Sequence, residues 1–320
     1  MRAPWSRWGL GLRLRRLLGV RLGLLYQHRP RPLAVPEGAD AARGNDLPAM
    51  VLVTPSFNQA RYIGATISSV LSQDYPHLQY IVQDGASTDG TAAVLRGFRE
   101  SPVEIRVRPD RGQTHALNLG FFGTTAPVMG YLNSDDMLCP GALDIVGRIF
   151  RDEPDTDVIY GNRLIVDADG AQVGRWILPG HDPDLLRFID YVPQETLFWR
   201  RQIWERTGAR FNEDLQFAMD WELLLRFLDA GARFRHVPEL FGIFRAHASQ
   251  KSQSDFAVRG IAEMAQLRAR FLAPQWGIAR RALVHARYLY RHRHADAQYA
   301  RLIGSGGALH PDRARNGLLH

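Results

Sequence analysis

A single cysteine, Cys139, and a single lysine, Lys251, stand among 320 residues. One thiol excludes an intramolecular disulfide and any Cys-rich zinc site, and Cys139 reads as a small buried apolar residue. The other 39 of the 40 basic residues are arginine, which points to a GC-rich genome and weakens a functional reading of any one Arg. Long uncharged apolar runs are missing too. Arg7, Arg13, Arg15, Arg16 and Arg21 break the N-terminal apolar segment before it reaches the roughly 18 residues of a membrane-spanning helix. The same charges, and the lack of a small-residue cleavage site, argue against a secretory signal. No internal repeat is present, and no G-x-G-x-x-G follows the first strand, which excludes a NAD-binding Rossmann enzyme. A sugar nucleotidyltransferase would need a Gly-rich, basic phosphate loop there, where this chain has Thr54-Pro55-Ser56-Phe57-Asn58-Gln59.

What is present describes a folded enzyme. With 45% hydrophobic and 23% charged residues, the chain buries a sizeable core as one large domain with appendages. The net charge of +7 is unevenly placed. Residues 1–36 hold eight Arg and no acid, and residues 279–320 hold eight Arg against Asp296 and Asp312, which leaves the middle at −7. Nucleic-acid binding by a basic core is thereby excluded. Two basic tails on an acidic body suit an anionic surface, first of all a membrane leaflet. Trp5, Trp8, Leu10, Leu12, Leu14, Leu17 and Leu18 interleaved with Arg fit a helix lying in the membrane interface; a solvated tail and a transit peptide are the alternatives.

Residues 29–45 are rich in Pro, Gly and Ala and read as a linker. Beyond them the pattern is regular. Residues 50–54, 78–82, 103–107 and 128–132 predict strands, and residues 60–72, 91–98 and 114–122 predict helices between them. This alternation implies βαβ units, a mostly parallel α/β sheet, and a ligand site beyond the strands' carboxyl ends. Three polar clusters fall at those ends: 56–58, 84–89 and 133–136. The second half predicts strands over 158–160 and 163–166, a hairpin turn at Asp169-Gly170, helices over 182–188, 201–207 and 221–228, and a strand over 234–237. Helices over 256–271 and 278–302 follow.

Asp135-Asp136, closing a strand, is the strongest chemical signal. Adjacent carboxylates in a crevice repel unless a cation or a hydroxyl-rich ligand lies between them, and oxygen ligands suit Mg²⁺ or Mn²⁺. A helix cap before residues 142–150 is the competing reading. The turn Asp84-Gly85-Ala86-Ser87-Thr88-Asp89-Gly90 offers a hydrogen-bonding edge for a base and ribose, with Thr88 or Asp89 free to cap the next helix.

Three stretches, Val51-Leu52-Val53-Thr54-Pro55-Ser56-Phe57-Asn58-Gln59, Val70-Leu71-Ser72-Gln73-Asp74-Tyr75-Pro76 and Asp84 through Thr91, together resemble the opening of family 2 glycosyltransferases. Leu132-Asn133-Ser134-Asp135-Asp136 resembles that family's aspartate motif, and Met219-Asp220-Trp221-Glu222-Leu223 its catalytic-base motif. The resemblance runs in order over residues 50–253 and is strongest to bacterial enzymes of O-antigen and capsule synthesis. It implies a GT-A fold, Rossmann-like with a helical C-terminal extension, divided as 1–45 basic tail and linker, 46–253 transferase domain and 254–320 basic extension. The implied activity is inverting transfer of a sugar from a UDP-, GDP- or dTDP-sugar to a glycan or lipid-linked acceptor. Its implied setting is surface polysaccharide synthesis on the cytoplasmic face of the inner membrane.

By position, the resemblance assigns Asp84 to the base, Asp135 to the ribose and Asp136 to Mn²⁺ or Mg²⁺. Pro55 and Ser56 would line the base, and Arg111, Gly112 and Asn118 would touch nucleotide or sugar. Arg245 and His247 would approach the diphosphate and the metal. Asp220 would be the general base, with Glu222 and Glu195 behind it. The chain departs from the family at Asn133, where Asp is common, and at Met219, where Glu is common. A non-catalytic scaffold with the same fold is the rival of another class, and it has no need to keep Asp84, Asp135, Asp136 and Asp220 together.

Overall fold

The computed structural model describes residues 19–35, 46–248, 250, 259–272 and 276–304. Strand β1 (Met50–Ser56) is buried along its whole length. Its side chains alternate, Val51 and Val53 entering one core and Met50 and Leu52 the other, as a strand covered on both faces requires. Strands β2 (Leu78–Asp84) and β4 (Val128–Tyr131) flank β1 in parallel, and β3 (Glu104–Val107) lies outside β2. The crossovers are α1 (Ile63–Leu71), α2 (Thr91–Arg96) and α3 (Gln113–Phe121). A Cβ on Gly120 would stand 2.4 Å from Val53 Cγ1, so the glycine lets α3 lie directly on β1.

Past β4 the sheet becomes mixed, with the order β3-β2-β1-β4-β8-β6-β9-β5 and β7 beside β6. Here β5 is Met137–Leu138, β6 Val158–Val166, β7 Gln172–Trp176, β8 Phe198–Arg200 and β9 Phe234–Arg245. The remaining helices are α4 (Ala142–Asp152), α5 (Pro183–Leu186), α6 (Arg201–Arg206), α7 (Met219–Asp229), α8 (Ile261–Phe271) and α9 (Ile278–Gly304). A 3₁₀ turn covers Gln194–Thr196.

Three expectations change. The strands predicted at 158–160 and 163–166 are one strand, β6, which crosses Gly161 with a register irregularity. A Cβ there would meet Phe241 at 2.6 Å and the Glu239 carbonyl at 2.8 Å, so the glycine marks close approach of β9 rather than a break. Strand β9 continues to Arg245 where the sequence predicts an end before Pro238, and this carries Arg245 and His247 to the site.

The segment 19–35, read as tail and linker, packs on the body. Val20, Leu22 and Leu24 are buried, and Arg31 exchanges backbone hydrogen bonds with Gln172 on β7. Asp296 on α9 binds Arg21 at 3.0 Å and Arg175 at 2.7 Å. The Leu22 N–H donates to His292 Nε2. The interfacial-helix reading of residues 1–18 lies outside the described residues. No helix among the described residues is long and apolar enough to cross a membrane.

Candidate active site

The carboxyl ends of β1, β2 and β4 converge, and the loops after them are tied together. The Asn58 N–H donates to Ser87 Oγ, Asn58 Oδ1 accepts from the Thr88 N–H, and Asp89 accepts from the Ala60 N–H and from Thr91. Asp89 thus both helps start α2 and clamps the two loops. Asn58 and Ala86 have φ of 55° and 65°, a backbone geometry that these cross-links hold in place. Asp84 is fully buried and accepts from the Ser87 N–H and Oγ, at 2.9 and 2.6 Å. Its carboxylate therefore shapes the turn. Behind Pro55, Ser56 Oγ and Gln83 Nε2 are buried without a hydrogen-bond partner among the described residues. The Phe57 ring stands 58% exposed at the same edge.

Gly112 opens α3 with φ of 111°, and its N–H donates to Asp110. Arg111 is exposed and pairs with Glu213. Asn118 is committed to the protein: both ends of its amide hold the backbone of Phe211, and its nitrogen also reaches Glu213, the partner of Arg111.

The aspartate pair divides by environment. Asp135 Oδ2 lies 2.9 Å from His247 Nε2. Asp136 is 1% exposed; Oδ1 accepts from the Arg245 N–H at 2.9 Å, while Oδ2 is buried with no partner. Burial, then the nearby charges of Asp135 and Glu195, pushes the Asp136 pKa well above the usual carboxylate range. The cap reading fails, because the cap of α4 is Gly141, with φ of 76° and no side-chain hydrogen bond to the helix. Arg245 binds the Asp135 carbonyl and lies over the ring of Tyr62, which also packs against His247 at 4.7 Å. Tyr62 is the part of this cluster that the sequence did not single out.

Asn133 accepts from Gln113 Nε2 at 2.7 Å and donates to Gln194 Oε1 at 2.8 Å, and Gln194 donates to the Tyr131 carbonyl. An amide does both, whereas a carboxylate only accepts, which accounts for Asn where the family has Asp. Asn133→Asp should lower stability by about 1–3 kcal/mol, measured by urea melts near neutral pH. An unchanged midpoint would show that the relay does not hold these loops. The second departure is also explained: Met219 is buried under α3, with its sulfur against Thr114 Oγ1.

Asp220 lies in the first turn of α7, its Oδ1 accepting from the Trp221 N–H. Glu263 on α8 accepts from the N–H groups of Gln216, Phe217 and Ala218, fixing the start of α7. Burial, against the Trp221 hydrogen bond, raises the Asp220 pKa to about 6, with Glu195 and Glu263 adding to the rise. Asp190, an exposed residue of a loop with no sequence pattern, lies close enough to Asp220 for the two charges to repel. Glu222, a runner-up for the base, is buried and committed to Arg226. Glu195 is buried against Arg163 at 3.4 Å, with Oε1 unpaired.

Residues 51–227 match the sequence model of glycosyl transferase family 2. The chain belongs to that family. It is 31% identical over 203 residues to the O-antigen biosynthesis protein RfbC of Myxococcus xanthus, a match covering 62% of this chain and 16% of RfbC. Against the hyaluronan synthase of Pasteurella multocida it is 25% identical over 199 residues, or 61% of this chain and 20% of the synthase. The chain thus spans a fifth or less of these two relatives. Among solved structures it resembles S. aureus TarS 1–349 in complex with UDP-GlcNAc, with TM-score 0.57 and 18% identity over 76% of this chain and 72% of that one. The mannosyltransferase PcManGT of Pyrobaculum calidifontis, with GDP-Man and Mn²⁺, gives TM-score 0.54 and 20% identity over 89% and 81%. These likenesses establish the GT-A fold.

Proposed function

We propose that the chain is an inverting glycosyltransferase moving one sugar from a nucleoside-diphosphate sugar to a glycan or lipid-linked acceptor of surface polysaccharide synthesis. One observation carries this reading: a carboxylate with a pKa near 6, Asp220, belongs to the same fold whose strand ends present the Asp135–Asp136 pair. Pro55, Ser56, Gln83 and the Asp84 turn take the base, Asp135 the ribose, and Arg111 and Gly112 the nucleotide or sugar.

A divalent cation fits the residues present. Asp136 Oδ2 is an orphaned buried acceptor, and Asp135 and His247 add oxygen and imidazole, a set suited to Mn²⁺ and less so to Mg²⁺. No three His, Cys, Asp or Glu side chains among the described residues form a ready-made cage. A cation that enters with a diphosphate needs only one or two protein carboxylates, the rest of its shell being phosphate oxygen and water. When bound, it neutralises charge developing on the departing diphosphate.

Asp220 takes the proton of the acceptor hydroxyl as that oxygen bonds to the anomeric carbon and the carbon–diphosphate bond breaks on the opposite face. At pH 7–8 a group with pKa near 6 is mostly ionised yet more basic than an exposed Asp. The Trp221 N–H on Oδ1 leaves Oδ2 for the proton. The two basic end segments favour an anionic membrane surface, and the reading sets the enzyme on the cytoplasmic face of the inner membrane, within reach of a lipid-linked acceptor. A panel of UDP-, GDP- and dTDP-sugars with an acceptor extract tests the reading, following nucleoside-diphosphate release and product configuration by NMR. Inverted product supports it; retained configuration or no release from any donor overturns it.

A further inference from the structure

The exposed face of α9 combines arginines with large apolar side chains. Leu283, Arg287, Tyr290, His294, Ala297 and Arg301 follow one another at spacings of three and four, which places them along one side of a helix, and all six are exposed. Arg280 and Arg293 flank this stripe and are exposed too. Leu283 is 71% and Tyr290 65% exposed, high values for large apolar side chains. The only acid of α9, Asp296, points the other way, buried between Arg21 and Arg175. No carboxylate among the described residues pairs with Arg287, Arg293 or Arg301. The inner face is fixed to the body: Tyr288 Oη donates to the Gly180 carbonyl, and His292 bridges the Ile177 carbonyl and the Leu22 N–H. Arg21 and Leu22 dock on this inner face through Asp296 and His292, so they leave the outer stripe uncovered by the described part of that segment.

We infer that the outer face of α9 is a docking surface for an anionic lipid bilayer, a refinement that rests on the membrane placement proposed above. Its arginines reach lipid phosphates while Leu283 and Tyr290 enter the headgroup boundary, the arrangement of an interfacial helix. Exposed aliphatic and aromatic side chains within the cationic stripe favour a bilayer over a nucleic-acid backbone, which would leave Leu283 without a partner. The rigid inner contacts make α9 a fixed handle that sets the orientation of the catalytic domain on the surface.

Vesicle co-sedimentation of the full chain tests this, comparing phosphatidylcholine alone with phosphatidylcholine containing phosphatidylglycerol. Wild type should bind only the anionic vesicles. R287Q/R293Q/R301Q should bind them roughly 100-fold more weakly, at about fivefold for each arginine charge. Its melting temperature and its nucleotide binding should stay at wild-type values, since none of the three lies in the cleft. L283S/Y290S should lose the part of binding that survives high salt. If wild type binds anionic vesicles and the triple variant binds equally, α9 is not the surface, although the membrane placement stands. If wild type binds no anionic vesicle, both fall. Tighter binding to single-stranded RNA than to vesicles at the same salt also overturns the inference.

Discussion

Asp220→Asn should cut turnover by roughly 10²- to 10⁴-fold while leaving nucleotide affinity nearly unchanged, because it preserves size and hydrogen bonding and removes only the basic function. In wild type, kcat/KM should rise with pH through an acid limb near pH 6, where Asp220 ionises. That limb should be absent from the residual activity of the variant. Stability should move the other way. A carboxylate whose folded pKa is raised loses stability as pH climbs from about 4, the exposed-Asp value, through the folded value. The variant should therefore be more stable than wild type by about 1–3 kcal/mol at pH 8 and equal to it near pH 4. A variant that retains more than about a tenth of wild-type turnover, with chemistry limiting, removes Asp220 from the mechanism.

The second large effect is expected at the aspartate pair. Asp136→Asn keeps the acceptor for the Arg245 N–H but removes the charge, so the fold should survive while Mn²⁺-dependent nucleotide binding falls at least roughly 100-fold. Asp135→Ala should have a comparable effect on binding and also remove the carboxylate beside His247 Nε2. Calorimetry of nucleotide with and without Mn²⁺ reads both. Undiminished binding in the Asp136 variant would restrict that residue to holding the end of β9 beside β5.

The parallel half of the fold was legible because β1, β2 and β4 are buried on both faces and so appear as short apolar runs separated by amphipathic helices. The hairpin at Asp169-Gly170 was legible from its turn chemistry, and Gly170 has the expected positive φ, at 87°. What failed did so locally. Gly161 reads as a breaker when only its own residue is considered, and its packing reason lies on a strand some 80 positions later, at Phe241. Pro238 hid the continuation of β9. Strands β5 and β8, two and three residues long, carry no periodicity at all.

The candidate site was legible as clusters at strand ends, since topology alone places such clusters together. The partners that set its electrostatics were not. Gln194 sits in a single 3₁₀ turn and Asp190 in irregular chain, Glu195 was marked only as a second choice for the base, and Tyr62 looks like any other helix-entry aromatic. The apolar alternation of Val20, Leu22 and Leu24 was masked by the surrounding arginines, yet it is this alternation that packs the segment on the body.

The central claim, that the cleft holds a nucleoside diphosphate through a divalent cation, is tested most directly by a thermal-shift panel of UDP, GDP and dTDP, each with and without Mn²⁺. A ligand that binds only the folded chain stabilises it by about 2.7 kcal/mol at a hundred times its Kd. The account predicts that at least one nucleotide raises Tm with Mn²⁺ present and leaves it almost unmoved without it. A Tm unmoved by all three nucleotides in the presence of Mn²⁺ would contradict it.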